Sequence, residues 1–334
     1  MHNSCRFTYF DSPEFLTLAF HTTSLIETPI HCLGFYCILW KTPEQMKSVK
    51  WYMFTLHTWI LLFDYSLSLL TAPFVLVNEG AGYPLGLSKY TNVPEVFQFM
   101  IVIDFATNMA ISIDSIFENR FYIICTFSWK HHWKFWRRVW LAAHYILLIV
   151  LLSVIPFLVP DQNIAVKKLF QNIPCLPKHF LEAPIFVVAD DKTYHMIAAV
   201  FHIALICFEV FLFVVFLIRN SAKQLKEKTM SQKTFELQKR FFIALVIQIS
   251  IPLACFIFPL AFAAFSVIIG YSNQAVTNVL VVTIASHGIV STIAMLLLHK
   301  PYRNAVKEIW NRPFGKSADV SQNQGRNLFI APRV

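Results

Sequence analysis

Seven apolar runs, each long enough to cross a bilayer, fill most of residues 15–298 and leave little chain for anything else. A helix rises ~1.5 Å per residue, so ~20 residues cover the ~30 Å hydrocarbon core. The runs are Phe15–Trp40, Trp51–Val77, Val96–Arg120, Val139–Val159, His195–Ile218, Phe241–Ile269 and Thr277–Leu298. Hydrophobic residues make 56% of the 334 and charged residues only 14%. Soluble domains carry roughly 25% charge, so a pair of soluble domains is excluded. The implied fold is all-α: a bundle of seven transmembrane helices forming a single domain over residues 15–298.

The third run is the expected centre of that bundle. It carries Asp104 and Asp114 between its apolar residues. A carboxylate at membrane depth is costly against lipid, so both are expected to face protein or trapped water. Asp64 in the second run and Glu209 in the fifth pose the same problem. For Asp64 one reading is a polar switch core with Asn108, Ser286 and His287, holding water or sodium. The other is a hydrogen-bonded carboxyl that only fixes packing. Asp104 lies nearer the outer end, which makes it a candidate to line a ligand cavity with Asn108 and Glu209. Pro29, Pro73, Pro252 and Pro259 stand inside the runs, where each removes a backbone donor and tends to kink a helix. His57, His144, His202 and His287 also lie in runs. None shows the two-histidine i, i+4 spacing of a zinc helix, so packed or hydrogen-bonded histidines are expected, with no metal and no cofactor.

Orientation follows from the connections. One side of the membrane collects 22 Lys and Arg residues and the other 6. The richer side is expected in the cytoplasm, with the amino terminus outside and the carboxyl terminus inside. Residues 1–14 lack a basic start and an apolar core, so the first span is expected to serve as its own insertion signal. The net charge of +9 is spread over membrane-flanking loops and does not call for nucleic acid. Trp129, Trp133, Phe135 and Trp136, interleaved with Lys130, Lys134, Arg137 and Arg138, read as an interfacial aromatic belt with snorkelling cations. After the seventh run, Tyr302, Ala305, Val306, Ile309 and Trp310 share one face of a short helix within residues 299–315. Such an amphipathic helix is expected to lie along the inner leaflet, ahead of a disordered cytoplasmic tail at residues 316–334.

Seven spans, an outer amino terminus, Arg120 at the inner end of the third span and the amphipathic helix suggest a rhodopsin-like G-protein-coupled receptor. Particular residues narrow this. They are Ser12-Pro13-Glu14-Phe15, Gly82-Tyr83-Pro84-Leu85-Gly86, Phe117-Glu118-Asn119-Arg120-Phe121, Leu237-Gln238-Lys239 leading into Gln248-Ile249-Ser250-Ile251-Pro252, Ser286-His287-Gly288, and His299-Lys300-Pro301-Tyr302-Arg303. In order and position these resemble the nematode serpentine chemoreceptors of class h, in the larger Str superfamily, from about Ser12 to Trp310. The resemblance implies a plasma-membrane receptor, expected in sensory cilia. It would bind a small environmental molecule and activate a heterotrimeric G protein through inner-end residues including Asn119, Arg120, Lys239 and Arg240. For Arg120 a simple headgroup anchor is the alternative. Within the receptor pattern Cys5 and Cys175, both on the outer side, are the available disulfide pair; two free thiols are the alternative. The chain departs from the rhodopsin-like pattern in two places. Asn119, not an acid, precedes Arg120, and Glu118 is two residues away, where it does not face the arginine. The seventh span lacks Asn-Pro-x-x-Tyr. A transporter using the intramembrane acids would show repeated halves, and none is visible. A ligand-gated channel would show a ring of pore-lining charge, and none is visible.

Overall fold

A computed structural model describes residues 8–172, 178–228, 231–271 and 273–311. Helix α1 spans Pro13–Trp40, its start fixed by Ser12, whose hydroxyl accepts from the Phe15 amide at 3.1 Å, and by Pro13 at the first helical position. Helix α2 spans Lys47–Tyr65 and continues as a wide π-helical turn to Leu70. Helices α3 (Glu95–Ile124) and α4 (Lys130–Leu158) follow, then the short α5 (Gln162–Asn172) and α6 (Lys178–Glu182). Helices α7 (Thr193–Lys226) and α8 (Gln232–Ile269) are the longest. The seventh span is broken at Ser286 into α9 (Gln274–Ala285) and α10 (His287–Leu298), and α11 covers Lys300–Trp310.

Among the described residues six spans qualify by length and apolarity together: α2, α3, α4, α7, α8 and the α9–α10 pair. The more polar α1 has 28 residues, long enough at ~1.5 Å per residue to cross as well. Helix α3 touches α2, α4 and α7, and every residue from Ile111 to Phe121 on it is buried. Helix α1 lies between α2 and α10, and α8 joins α7 to α10. Two apolar clusters fill the bundle. One holds Leu56, Ile116, Phe117, Phe121, Leu245 and Met295 toward the carboxyl-terminal end. The other holds Phe20, Phe63, Phe74, Tyr83 and Phe180 toward the amino-terminal end.

The second span is shorter than its apolar run. The expected helix to Val77 stops at Leu70, and Pro73 begins a strand instead of kinking a helix. The physical reason is local. The Ser66 carbonyl accepts both the Thr71 amide at 2.9 Å and the Thr71 hydroxyl at 2.7 Å, which closes the turn. Ala72 then takes a left-handed φ of 41°, and the residue before a proline is disfavoured in the helical region. The chain continues as β1 (Pro73–Leu76), β2 (Ala81–Pro84) and β3 (Phe186–Val187), an antiparallel sheet in that order. Pro73 pairs with Pro84, Leu76 with Ala81, and Ala81 in turn with Val187. Gln162 braces β3, donating to the Val187 carbonyl at 3.0 Å and accepting from its amide at 2.9 Å. Phe74 and Tyr83 stack at 5.1 Å beneath Phe180, so this sheet forms an aromatic cap over one end of an otherwise helical bundle.

Toward the other end the helices outrun their apolar runs. Helix α4 begins at Lys130, α7 extends to Lys226 and α8 begins at Gln232, each adding charged turns. Helix α11 tucks Tyr302, 0% exposed, against α1 and α2; its hydroxyl meets Thr42 Oγ1 at 2.8 Å. Burial pushes the Tyr302 phenol up to about 12. Ile309 and Trp310 point away from the bundle, where an amphipathic helix would meet lipid.

Candidate functional site

A fully buried polar cluster sits where α1, α2 and α10 meet. Helix spacing builds it: Glu27 and His31 are four residues apart on one face of α1, and His57 and Asp64 are two turns apart on α2. Glu27, His31, Asp64 and His287 are all 0% exposed. His31 Nε2 lies 3.2 Å from Asp64 Oδ2, and His287 Nδ1 lies 3.0 Å from Asp64 Oδ1. The His287 Nδ1 hydrogen points to the Ile284 carbonyl at 2.8 Å, so Asp64 Oδ1 is left without a hydrogen-bond donor among the described residues. Ser68 donates to Glu27 Oε1 at 3.2 Å and meets Ser24 at 2.8 Å, while Glu27 Oε2 also lacks a donor. His57 Nε2 donates to the His31 carbonyl at 3.2 Å, and Thr292 Oγ1 stands 3.5 Å from His31 Nδ1. His287 Nε2 faces Met109 Sδ of α3 at 3.3 Å.

Gly288 makes this approach possible. A Cβ there would overlap the Asp64 carboxylate, so α10 can lie against α2 at this depth only with a bare backbone. Beyond the cluster, toward the carboxyl-terminal end, a narrow gap of about 10 Å³, room for about one water, lies between α2, α3, α8 and α10. His57, Gln248, Ser291 and Thr292 line it, and Gln248 Oε1 has no partner there among the described residues. The cluster therefore combines two carboxylates and three imidazoles at membrane depth beside a water-sized gap. Such an assembly can shift protons or re-pair when a helix moves.

Two further clusters flank α3. Asp114 of α3, His144 of α4 and Glu209 of α7 converge, with His144 Nε2 3.1 Å from Glu209 Oε2. Near the carboxyl-terminal end, Glu118 accepts from Arg137 Nη2 at 2.7 Å and from Trp133 Nε1 at 2.9 Å. The arginine also lies over the Tyr122 ring at 4.3 Å. Trp133 and Arg137 are thus turned inward instead of joining an interfacial belt, because Glu118 is buried and needs both donors. Trp129, Phe135 and Trp136 remain exposed. Glu118→Ala is expected to lower stability by about 3 kcal/mol, since it strands two buried donors, one of them charged. Glu118→Gln, which keeps an acceptor, should lose less. Thermal melts of the detergent-purified protein check this, and equal midpoints for all three proteins would contradict it.

The sequence candidates fall apart into separate places. His287 reaches Asp64, but Ser286 does not: its hydroxyl bonds back to the Thr283 carbonyl at 3.1 Å, at the break between α9 and α10. Asn108 is also not at Asp64; its side chain donates to the Asp104 carbonyl at 2.9 Å, and Met109 is the α3 neighbour of His287. Asp104, Asn108 and Glu209 do not form one cavity. Asp104 stands ten residues, ~15 Å of helix, from Asp114, the α3 neighbour of Glu209. Asn119 and Arg120 are buried, Asn119 donating to the Ser48 carbonyl at 3.2 Å. Lys239 and Arg240 are exposed on α8. Cys5 and Cys175 lie outside the described residues. Glu27, His31, His57, Asp114 and His144 are cluster residues that the sequence candidates do not include; the sequence predicts His57 and His144 only as packed or hydrogen-bonded histidines. The acid–histidine pair four apart on α1 was the available signal. At the capped end His179 packs against Phe74 and Phe180, and burial holds its imidazole below the ordinary value.

Comparison with known proteins agrees with this architecture. The chain is 29% identical over 315 residues to "Serpentine receptor class H-72" of Caenorhabditis elegans, which covers 90% of this chain and 86% of that protein. The family model described as "Serpentine type 7TM GPCR chemoreceptor Srh" matches residues 11–312. With seven helical spans on the page and the match running across all of them, this multi-pass membrane protein belongs to the Srh family of serpentine seven-transmembrane chemoreceptors.

Proposed function

We propose that this chemoreceptor binds a small environmental molecule and activates a heterotrimeric G protein, with the Asp64 cluster as the polar switch between the two events. The observation that carries the reading is the cluster itself. Glu27, His31, Asp64 and His287 join the first, second and seventh spans with unsatisfied acid oxygens, next to a water-sized gap lined by α8 and α10. A ligand activates such a bundle only by binding one packing better than the other. Ligand contacts are assigned to the outer half, where Asp104 and Asn108 stand on α3, and the G-protein face to the opposite end around Asn119, Arg120, Lys239 and Arg240. The distribution of Lys and Arg supports an outer amino terminus and a cytoplasmic carboxyl terminus; kinship with the serpentine chemoreceptors supports residence in the plasma membrane, in sensory cilia.

The test is a panel of volatile and water-soluble compounds applied to cells expressing the chain, read by calcium or cyclic nucleotide. A compound-specific response that disappears when the G protein is inactivated is expected. An ion flux that persists without G protein would overturn the assignment in favour of a channel or transporter.

A further inference from the structure

Asp114, His144 and Glu209 meet on α3, α4 and α7, apart from the Asp64 cluster and independent of any ligand reading. One atom from each lies within 4.8 Å of the other two. His144 Nε2 is 3.1 Å from Glu209 Oε2 and 4.0 Å from Asp114 Oδ2. Zinc bonds of ~2.1 Å in tetrahedral array place ligand atoms about 3.4 Å apart, between those two spacings. Asp114 is 0% exposed, and beyond the facing Glu209 carboxyl and His144 its oxygens have no hydrogen-bond donor among the described residues. His144 Nε2 likewise lacks a hydrogen bond of good geometry.

The surroundings orient these atoms for a cation. His144 Nδ1 lies 3.0 Å from the Trp140 carbonyl, which only accepts, so Nδ1 carries a hydrogen; in the neutral ring Nε2 then offers its lone pair to the carboxylates, and in the protonated ring it donates to Glu209. A backbone carbonyl behind the ring is the usual support of a metal-binding histidine. Trp140 Nε1 donates to Glu209 Oε2 at 3.1 Å and steadies the second carboxylate. Charge points the same way. With both carboxylates ionised and the imidazole neutral the cluster would carry −2, which a divalent cation would cancel at a depth where uncompensated charge is costly. One imidazole and two carboxylates, with no thiolate, form a donor set that zinc accepts, and three protein ligands leave a fourth position for water.

We propose that Asp114, His144 and Glu209 form a divalent-metal site of the zinc class that clamps the third, fourth and fifth spans together. The test uses the full chain purified in detergent, stripped with chelator and dialysed against zinc or magnesium. Wild type is expected to retain one more zinc per chain than Asp114→Asn or His144→Gln. Saturating zinc is expected to raise its melting midpoint by about 5 °C, with no response to magnesium and none in the variants. A double His131→Ala, His132→Ala protein, changed only at an exposed pair on α4, should keep the bound metal. Should the site variants fail to fold, cobalt(II) titration of wild type decides, through the visible absorption of a low-symmetry nitrogen–oxygen site. Equal zinc content in wild type and Asp114→Asn, an unmoved wild-type midpoint, or no cobalt absorption would overturn the metal. A proton shared within the cluster would then be what balances it.

Discussion

Gly288→Ala is expected to lower the stability of the detergent-purified receptor by about 3 kcal/mol, near the upper end of overpacking costs. The added methyl would overlap the Asp64 carboxylate and stand 2.8 Å from Ile60 Cγ2. An exposed acid would swing aside at little cost. Asp64 is wholly buried and held by His31 at 3.2 Å, so yielding means breaking that pair or prising α10 from α2. Either leaves a buried polar group without its partner, which adds the cost of a lost hydrogen bond. Thermal melting and the monodisperse fraction on size exclusion measure the loss. Because the two sites touch, their effects should not add: Gly288→Ala should cost markedly less in an Asp64→Ala background. An unchanged midpoint for Gly288→Ala, or strict additivity with Asp64→Ala, would show that α10 does not pack on Asp64 as described.

Asp64→Asn is the second large effect, and it falls on signalling instead of folding. Asparagine keeps the shape and an acceptor for His31 but removes the acid between His31 and His287. The helix packing should therefore survive while the preference between two packings shifts. A change of about 1.4 kcal/mol in that preference alters the population ratio tenfold. Agonist potency or maximal response should fall by about that factor, with surface delivery close to wild type. A dose–response curve that does not move would remove Asp64 from the mechanism and leave it a packing residue. His287→Gln, which keeps a donor for the Ile284 carbonyl, should move the response in the same way.

The seven spans were legible because a bilayer demands length and apolarity, and both can be counted along a chain. The central place of the third span was legible from its acids. Ends were less so. The run to Val77 is apolar throughout, but the double acceptance at the Ser66 carbonyl and the Ala72 turn end the helix seven residues earlier, and apolarity does not report either. The same blindness hid the capping sheet, since β1 and β2 are built from the tail of an apolar run and a glycine-proline segment. At the other end, charged turns at Lys130, Lys226 and Gln232 continue helices that hydropathy stops early.

The polar residues divide in a similar way. Asp64 and His287 were recognisable as expensive groups in apolar surroundings and, together, as one polar core. Their partners on α1 were not, because α1 meets α2 and α10 only through the folded arrangement of helices. Glu27 and His31 announce themselves only as an i, i+4 pair, and that spacing says nothing of what they face. Glu209 illustrates the limit: read as a ligand contact, it is held by His144 and Trp140 at the depth of Asp114.

Purified receptor in nanodiscs, mixed with G protein and a compound identified in cells, offers the most direct check, read as the rate of guanine-nucleotide exchange. Wild type should accelerate exchange when the compound is added, and Asp64→Asn should bind the same compound with little acceleration. Failure of wild type to accelerate exchange on any heterotrimer tested, with ligand binding verified, would contradict the receptor mechanism proposed for this fold.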